Sequence, residues 1–259
     1  MNQIDIRSVP ITGANAGIGK EVARQLAQLP RVEKIYLACR NEGKARAAKQ
    51  ELERRDRKVH LRDRSHGRRV RCGCVRSALK ALQGLINAVV MKPEAWAARP
   101  PMTLTKDGVT NILAANVLGH VALLEGLIDS GRLTKGAVYL GSEAARGVPK
   151  MGGKRPALAT SSVEEFADIC TGDFAGKKPD PMLAYGEVKY VAALWMAAAA
   201  RRHPELRLIT MSPGNTQGTN VTDDFPAPAP VRLLMKRVVM PFIAPLFGRR
   251  TRSKQARSE

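Results

Sequence analysis

Residues 11–20 read ITGANAGIGK and join a short apolar run, RSVPIT (7–12), to an amphipathic one, GIGKEVARQLAQL (17–29). The first run reads as a strand; the second repeats its apolar residues at helical spacing and reads as a helix. Gly13, Gly17 and Gly19 fall at the junction, with Asn15, Ala16 and Ile18 as the other residues of the turn. Glycines there let the backbone bend sharply and let a pyrophosphate approach, while the first N–H groups of the helix point at the anion. A dinucleotide fits that geometry, although three glycines at such a junction also serve a plain tight turn.

The alternation continues outward. KIYLAC (34–39), KVHLR (58–62), LQGLINAVV (82–90), GAVYLGS (136–142) and LRLITMS (206–212) read as strands. EGKARAAKQELERR (42–55), DGVTNILAANVLGHVALLEGLI (107–128) and the run that starts near MLAYGEVKYVAA (182–193) read as helices. Six strands alternating with helices predict an α/β fold of the Rossmann type, a doubly wound parallel sheet covered on both faces. Residues 1–248 form one domain in this reading, with an irregular insertion over 146–181. The second strand ends at Arg40, whose planar fork can pair with a 2′-phosphate where an acid would bind ribose hydroxyls. NADP(H) is therefore expected over NAD(H), with Asn41 and Lys44 as helpers.

Tyr185 and Lys189 stand four residues apart and so share one face of their helix. A phenol is a poor proton donor or acceptor near neutrality, and a neighbouring ammonium favours its ionised form. The pair is thus expected to be a general acid/base whose pKa the lysine lowers.

TGANAGIG (12–19), NVLGH (116–120), Ser142 at the end of the fifth strand, YGEVK (185–189) and SPG (212–214) occur in the order found in short-chain dehydrogenases/reductases. The chain resembles that family from about residue 7 to 222. CRN (39–41) and the long segment before Tyr185 make it most similar to the retinol-dehydrogenase-like and protochlorophyllide-reductase-like branch. The resemblance implies an oxidoreductase acting on an alcohol/carbonyl pair or, as the lesser alternative, on a conjugated double bond. It implies that Tyr185 exchanges a proton with the substrate oxygen, that Lys189 lowers the tyrosine pKa and binds the nicotinamide ribose, and that Ser142 hydrogen-bonds the carbonyl. Asn116 corresponds to a helix asparagine that supports a relay water. Pro213, Gly214 and Thr216 or Thr219 correspond to the loop against the nicotinamide. Asn87 and Ala88 correspond to an Asn-Ala-Gly beside the adenosine ribose, with Val89 in the glycine's place. Asp63 corresponds to an adenine-contacting acid. The long insertion between Ser142 and Tyr185 suggests a bulky, apolar substrate.

Net charge is +20, but residues 54–80 hold eleven Lys or Arg against two acids and residues 249–259 hold five against one, so thirteen of the excess charges sit in two short stretches. Neither stretch interleaves aromatics, and only 4% of the chain is aromatic, which supplies base stacking poorly. Specific nucleic-acid binding is not expected; a fold that has lost turnover and binds nucleic acid or anionic surfaces through those stretches is the competing reading. The segment 62–76 is atypical for the family, and 249–259 reads as a disordered tail where the family continues through a helix and a last strand. Their shared arginine-rich composition is what frame slips in a GC-rich gene would produce. His60, His66, Cys72 and Cys74 lack zinc-site spacing, and no metal is expected. VRLLMKRVVMPFIAPLFG (231–248) is broken by Arg232, Lys236, Arg237, Pro241 and Pro245, so no transmembrane segment is expected. Without a signal pattern at the N-terminus, the expected compartment is the cytoplasm and the expected state a monomer or homodimer.

Overall fold

The five residues of β1 (Ser8–Thr12) run up the middle of a parallel sheet whose order is β3-β2-β1-β4-β5-β6. The other strands are β2 (Lys34–Ala38), β3 (His60–Asp63), β4 (Ile86–Met91), β5 (Leu133–Leu140) and β6 (Arg207–Met211). The helices are α1 (Gly17–Ala27), α2 (Glu42–Arg55), α3 (Asn111–Asp129), α4 (Val163–Thr171) and α5 (Pro181–Arg202). The chain is described from a computed structural model over residues 6–39, 41–55, 60–63, 79–80, 82–93, 102–147, 155–175 and 181–214, with 55, 60–63, 175, 181 and 182 described by backbone alone. The six expected strands are present, in the doubly wound order. The predicted absence of a last strand, most of 62–76 and all of 249–259 lie outside the described residues.

Strand alternation sorts the apolar residues into two cores, one on each face. Val9 and Ile11 of β1 and Ile35 and Leu37 of β2 face Ala23, Ala27, Ala45 and Leu52 of α1 and α2. Tyr36, Val89, Met91, Ala137 and Tyr139 face the other way, onto Ile112, Leu124 and Leu127 of α3 and Val188, Ala192 and Met196 of α5. Helix α3 is long and apolar enough to cross a membrane by length and composition, yet half of it is buried in this core. Glu125 ties α3 to α5 by accepting from Trp195 Nε1 at 3.2 Å and from Arg202 at 2.9 Å.

Pro10 is an unusual occupant of a central strand, because it cannot donate to a ladder. Arg7 O and Gly13 N both bond toward β2, so the odd residues of β1 serve β2 and the even ones, Pro10 among them, face β4. The β1–β2 register is accordingly continuous from Ser8 to Thr12, whereas β1 and β4 register at Ile11 and Val90. Asn87 compensates at the strand's start: its Oδ1 accepts from Arg7 N and Ser8 N, both at 3.0 Å.

Residues 155–175 of the insertion hold a capped helix where an irregular segment was expected. Ser162 caps α4 by accepting from Glu165 N at 3.2 Å, and Gly172, with φ +88°, closes it in the left-handed conformation. Cys170 O accepts from Thr110 N at 2.8 Å and docks α4 on the start of α3.

Candidate active site

The sheet order reverses between β1 and β4, and in sheets of this kind the ligand crevice lies at the carboxyl ends of the strands that flank such a point. The glycine turn fills its near side. Gly13 takes φ +62° and donates its N–H to Ala38 O at 2.9 Å. A side chain at Gly19 would place its Cβ 2.4 Å from Gly13 O, so the start of α1 can lie against the turn only with glycine there. Ala16 supplies no side-chain cap to α1, and the first turn holds no acid. The N–H groups that begin α1 therefore suit an anion, and the cradle fits the phosphates of a dinucleotide. Asn15, Ala16, Gly17 and Ile18 line this turn, half-buried.

Farther along the same edge the expected contacts divide. Asn41 caps α2, its Oδ1 accepting from Lys44 N at 2.9 Å, so that oxygen serves the helix. Asp63 closes β3 level with Leu37, described by backbone alone. Arg40, Thr216 and Thr219 lie outside the described residues. Pro213 and Gly214 follow β6, with Gly214 at φ +65° and its N–H donating to Ser212 Oγ at 3.3 Å.

Asn87 and Ala88 require a correction. With Ile11 opposite Val90, Asn87 lies level with Ser8 at the amino end of the strands, away from the crevice. Val89 is fully buried beside Ala137 inside the sheet, so its branched side chain packs the core and does not crowd a ribose. The residues that follow β4 at the carboxyl edge are Lys92 and Pro93.

Tyr185, Lys189 and Ser142 do converge. Gly186 lets α5 press on the turn that follows Ser142: a Cβ there would lie 3.2 Å from Ala144 O. Ser142 begins a short 3-10 helix (Glu143–Arg146) and its Oγ accepts from Ala144 N at 3.2 Å. The same hydroxyl hydrogen-bonds Tyr185. Lys189 is 1% exposed, donates over 3.5 Å to Leu140 O, and holds its ammonium 5.4 Å from the centre of the Tyr185 ring. The expected direction of tuning is reversed. Burial raises the Tyr185 pKa, and the opposing influence is the Ser142 hydrogen bond. Lys189 itself is pushed down to about 7, first by burial and then by the charge of Lys92. A lysine that has given up much of its charge cannot strongly favour a phenolate.

Asn116 is wholly buried in π-helical turns (Ala114–Leu118) within α3, an interruption of a kind that marks functional sites. Its Nδ2 donates to Ile112 O at 2.9 Å, and its Oδ1 has no partner among the described residues. Its main-chain carbonyl accepts from Tyr139 Oη at 2.9 Å.

Four residues of this seam went unread in the sequence. Tyr139 lies beneath Lys189, with the ammonium 5.3 Å from its ring centre. His120 stacks edge-on against Tyr139 at 5.9 Å and sits 3.1 Å, Nε2 to Oγ1, from Thr12. Burial, with help from Lys189, pushes the His120 pKa down to about 3, so the ring is neutral at working pH. Thr12 Oγ1 also accepts from Lys92 N at 2.7 Å, so one hydroxyl joins the His120 ring to the chain that follows β4. The signal available was the strand-end position of Thr12 and Tyr139 and the helical spacing of Asn116 and His120.

The family model described as KR domain matches residues 8–167. Retinol dehydrogenase 12 of Bos taurus is 38% identical over 136 residues, covering 50% of this chain and 40% of that protein. Retinol dehydrogenase 11 of Homo sapiens is 34% identical over 134 residues, covering 49% and 39%. The chain spans about two fifths of the length of these curated relatives. Among solved structures, menthone neomenthol reductase from Mentha piperita has a TM-score of 0.60 at 17% identity, covering 85% of this chain and 91% of that one. L-sorbose reductase from Gluconobacter frateurii, complexed with NADPH and L-sorbose, has a TM-score of 0.58 at 16% identity, covering 82% and 70%.

Proposed function

Because the chain belongs to the short-chain dehydrogenase/reductase family of oxidoreductases, by its KR-domain match over residues 8–167, we propose that it interconverts an alcohol and a carbonyl compound with NADP(H). One observation carries the reading: Tyr185, Ser142 and Lys189 meet at the carboxyl edge of the sheet, and Lys189 lies within electrostatic reach of Lys92 beside the glycine turn.

When bound, the dinucleotide supplies a hydride in reduction and accepts one in oxidation. Ser142 donates to the carbonyl oxygen and fixes it near Tyr185. The buried phenol of Tyr185 holds its proton at neutral pH and delivers it to that oxygen as negative charge develops. In the reverse direction Tyr185 must first lose its proton, so oxidation is favoured at higher pH. Lys189 holds the nicotinamide ribose, and bound phosphate restores its charge.

NADP(H) rests on Arg40 at the end of the second strand and on the NADPH of the sorbose reductase structure. An apolar alcohol or aldehyde rests on the retinol named in the curated relatives and on the insertion, whose Pro156 lies against Gly186, next to Tyr185. The test is fluorescence titration with NADPH and NADH, followed by turnover of an apolar aldehyde. Tight NADPH binding with weaker NADH binding is expected; if neither dinucleotide binds, the reading fails.

A further inference from the structure

We propose that Lys92 is a dinucleotide-binding residue whose ammonium contacts the pyrophosphate at the glycine turn, an assignment that rests on the dinucleotide reading above.

Three observations place it there. Lys92 follows the last residue of β4, and the pairing of Ile11 with Val90 sets it level with Gly13 across the point where the sheet order reverses. Its backbone is anchored, N–H to Thr12 Oγ1 at 2.7 Å, and the buried Pro93 follows. Its side chain lies along the turn: a Cβ added to Gly13 would meet Lys92 Cδ at 2.8 Å and Nζ at 3.5 Å. A lysine free to choose would extend into water; this one lies half-buried over the glycine.

The charges around it lack a counterpart. Among the described residues no carboxylate pairs with Lys92, and the group that feels its charge is another cation, Lys189. Lys20, on the first turn of α1, is already paired with Glu51 at 2.9 Å. The uncapped start of α1 adds positive potential to the same place. The Lys92 ammonium at the glycine turn and the uncapped start of α1 present positive potential to one place, and a doubly charged pyrophosphate is the partner that answers it.

Lys92→Met and Lys92→Arg, titrated with NADPH and NADH by fluorescence, test the contact. Lys92→Met is expected to weaken both dinucleotides by the same factor, about ten- to hundred-fold for a charged hydrogen bond. Lys92→Arg is expected to retain most of the affinity, and the melting temperature of the dinucleotide-free Met variant is expected to be no lower than that of the wild type. Loss confined to NADPH would assign the lysine to the 2′-phosphate and overturn the proposal. Unchanged or tighter binding by Lys92→Met would overturn it too, the latter showing a side chain that obstructs the seat. Wild-type protein that binds neither dinucleotide removes the parent reading and this contact together; wild-type binding with an indifferent Met variant removes the contact alone.

Discussion

The hydroxyl of Tyr139 donates to the main-chain carbonyl of Asn116 at 2.9 Å, across the gap between the central sheet and helix α3. That carbonyl lies in the π-helical turns, and both residues are buried. Removing the hydroxyl leaves the bond without its donor and the ring in place. Tyr139→Phe is expected to lower stability by about 1–3 kcal/mol, the cost of orphaning a buried acceptor. Urea denaturation measures it. Tyr139→Leu also removes the ring beneath Lys189 and should cost more; equal stability of wild type and Tyr139→Phe would show that the carbonyl finds another donor.

Ser142 and Tyr185 are joined by a hydrogen bond that opposes the rise of the tyrosine pKa on burial. Ser142→Ala removes that opposition, so the phenolate forms only at still higher pH. The pH profile for alcohol oxidation should move its rising limb upward, and turnover should fall by about 10²-fold, within the range for general acid–base and oxyanion partners. Tyr185→Phe is expected to lose about 10²–10⁴-fold in turnover while keeping its affinity for NADPH. A Tyr185→Phe protein that turns over normally would mean that another group moves the proton.

Glu165 holds the entry to α4. Its carboxylate accepts from Ala159 N at 2.6 Å, Ser161 N at 2.7 Å, and Thr160 N and Oγ1 at 2.9 Å each, while its own N–H reaches Ser162 Oγ. Those donors push its pKa down to about 2, and they pin Ser161 at φ 57°, a conformation serine seldom adopts. The stabilisation is present above the ordinary carboxylate range and is lost as pH falls through about 2. Glu165→Ala should accelerate hydrogen exchange at Ala159, Thr160 and Ser161 and leave the sheet amides unchanged. Exchange that stays slow at those three amides would show that the loop is held from elsewhere.

Period and punctuation made the strands and helices readable, because a parallel sheet buried on both faces writes itself as apolar runs and the helices as 3.6-residue stripes. Tyr185, Lys189 and Ser142 were readable because local spacing on α5 and the end of β5 fixes where they point. Asn87 was misplaced because register is invisible in one strand: a shift of a few residues along β4 separates the crevice edge from the opposite end of the sheet. The cap at Ser162-x-x-Glu165 with Gly172 beyond was a readable helix signal, masked by the glycines and prolines around it. Lys92 had no local signature, since its role arises from a neighbour 80 residues away in sequence, and the helical spacing of His120 from Asn116 did not reveal its partner Thr12, 108 residues away.

Lys189 is charged in the unfolded chain up to its ordinary pKa of 10.5, but in the folded protein only up to about 7. Between those values the unfolded chain holds a proton that the folded one lacks, so this group makes stability rise with pH through that window. Below about 7 both states are protonated and the cost of burying the ammonium is fully present. A tenfold loss of proton affinity on folding corresponds to about 1.4 kcal/mol, so Lys189→Met is expected to be more stable than the wild type at pH 7 by a few kcal/mol, with the gap closing toward pH 10. Urea denaturation of both proteins at the two pH values gives the comparison, in which other titrating groups cancel. Bound phosphate should reverse the effect by drawing a proton onto Lys189. NADPH binding near pH 8 is therefore expected to take up protons in the wild type, and to take up fewer in Lys189→Met. Calorimetry in buffers of different ionisation enthalpy reads that uptake directly; equal uptake by the two proteins would place the titrating group elsewhere.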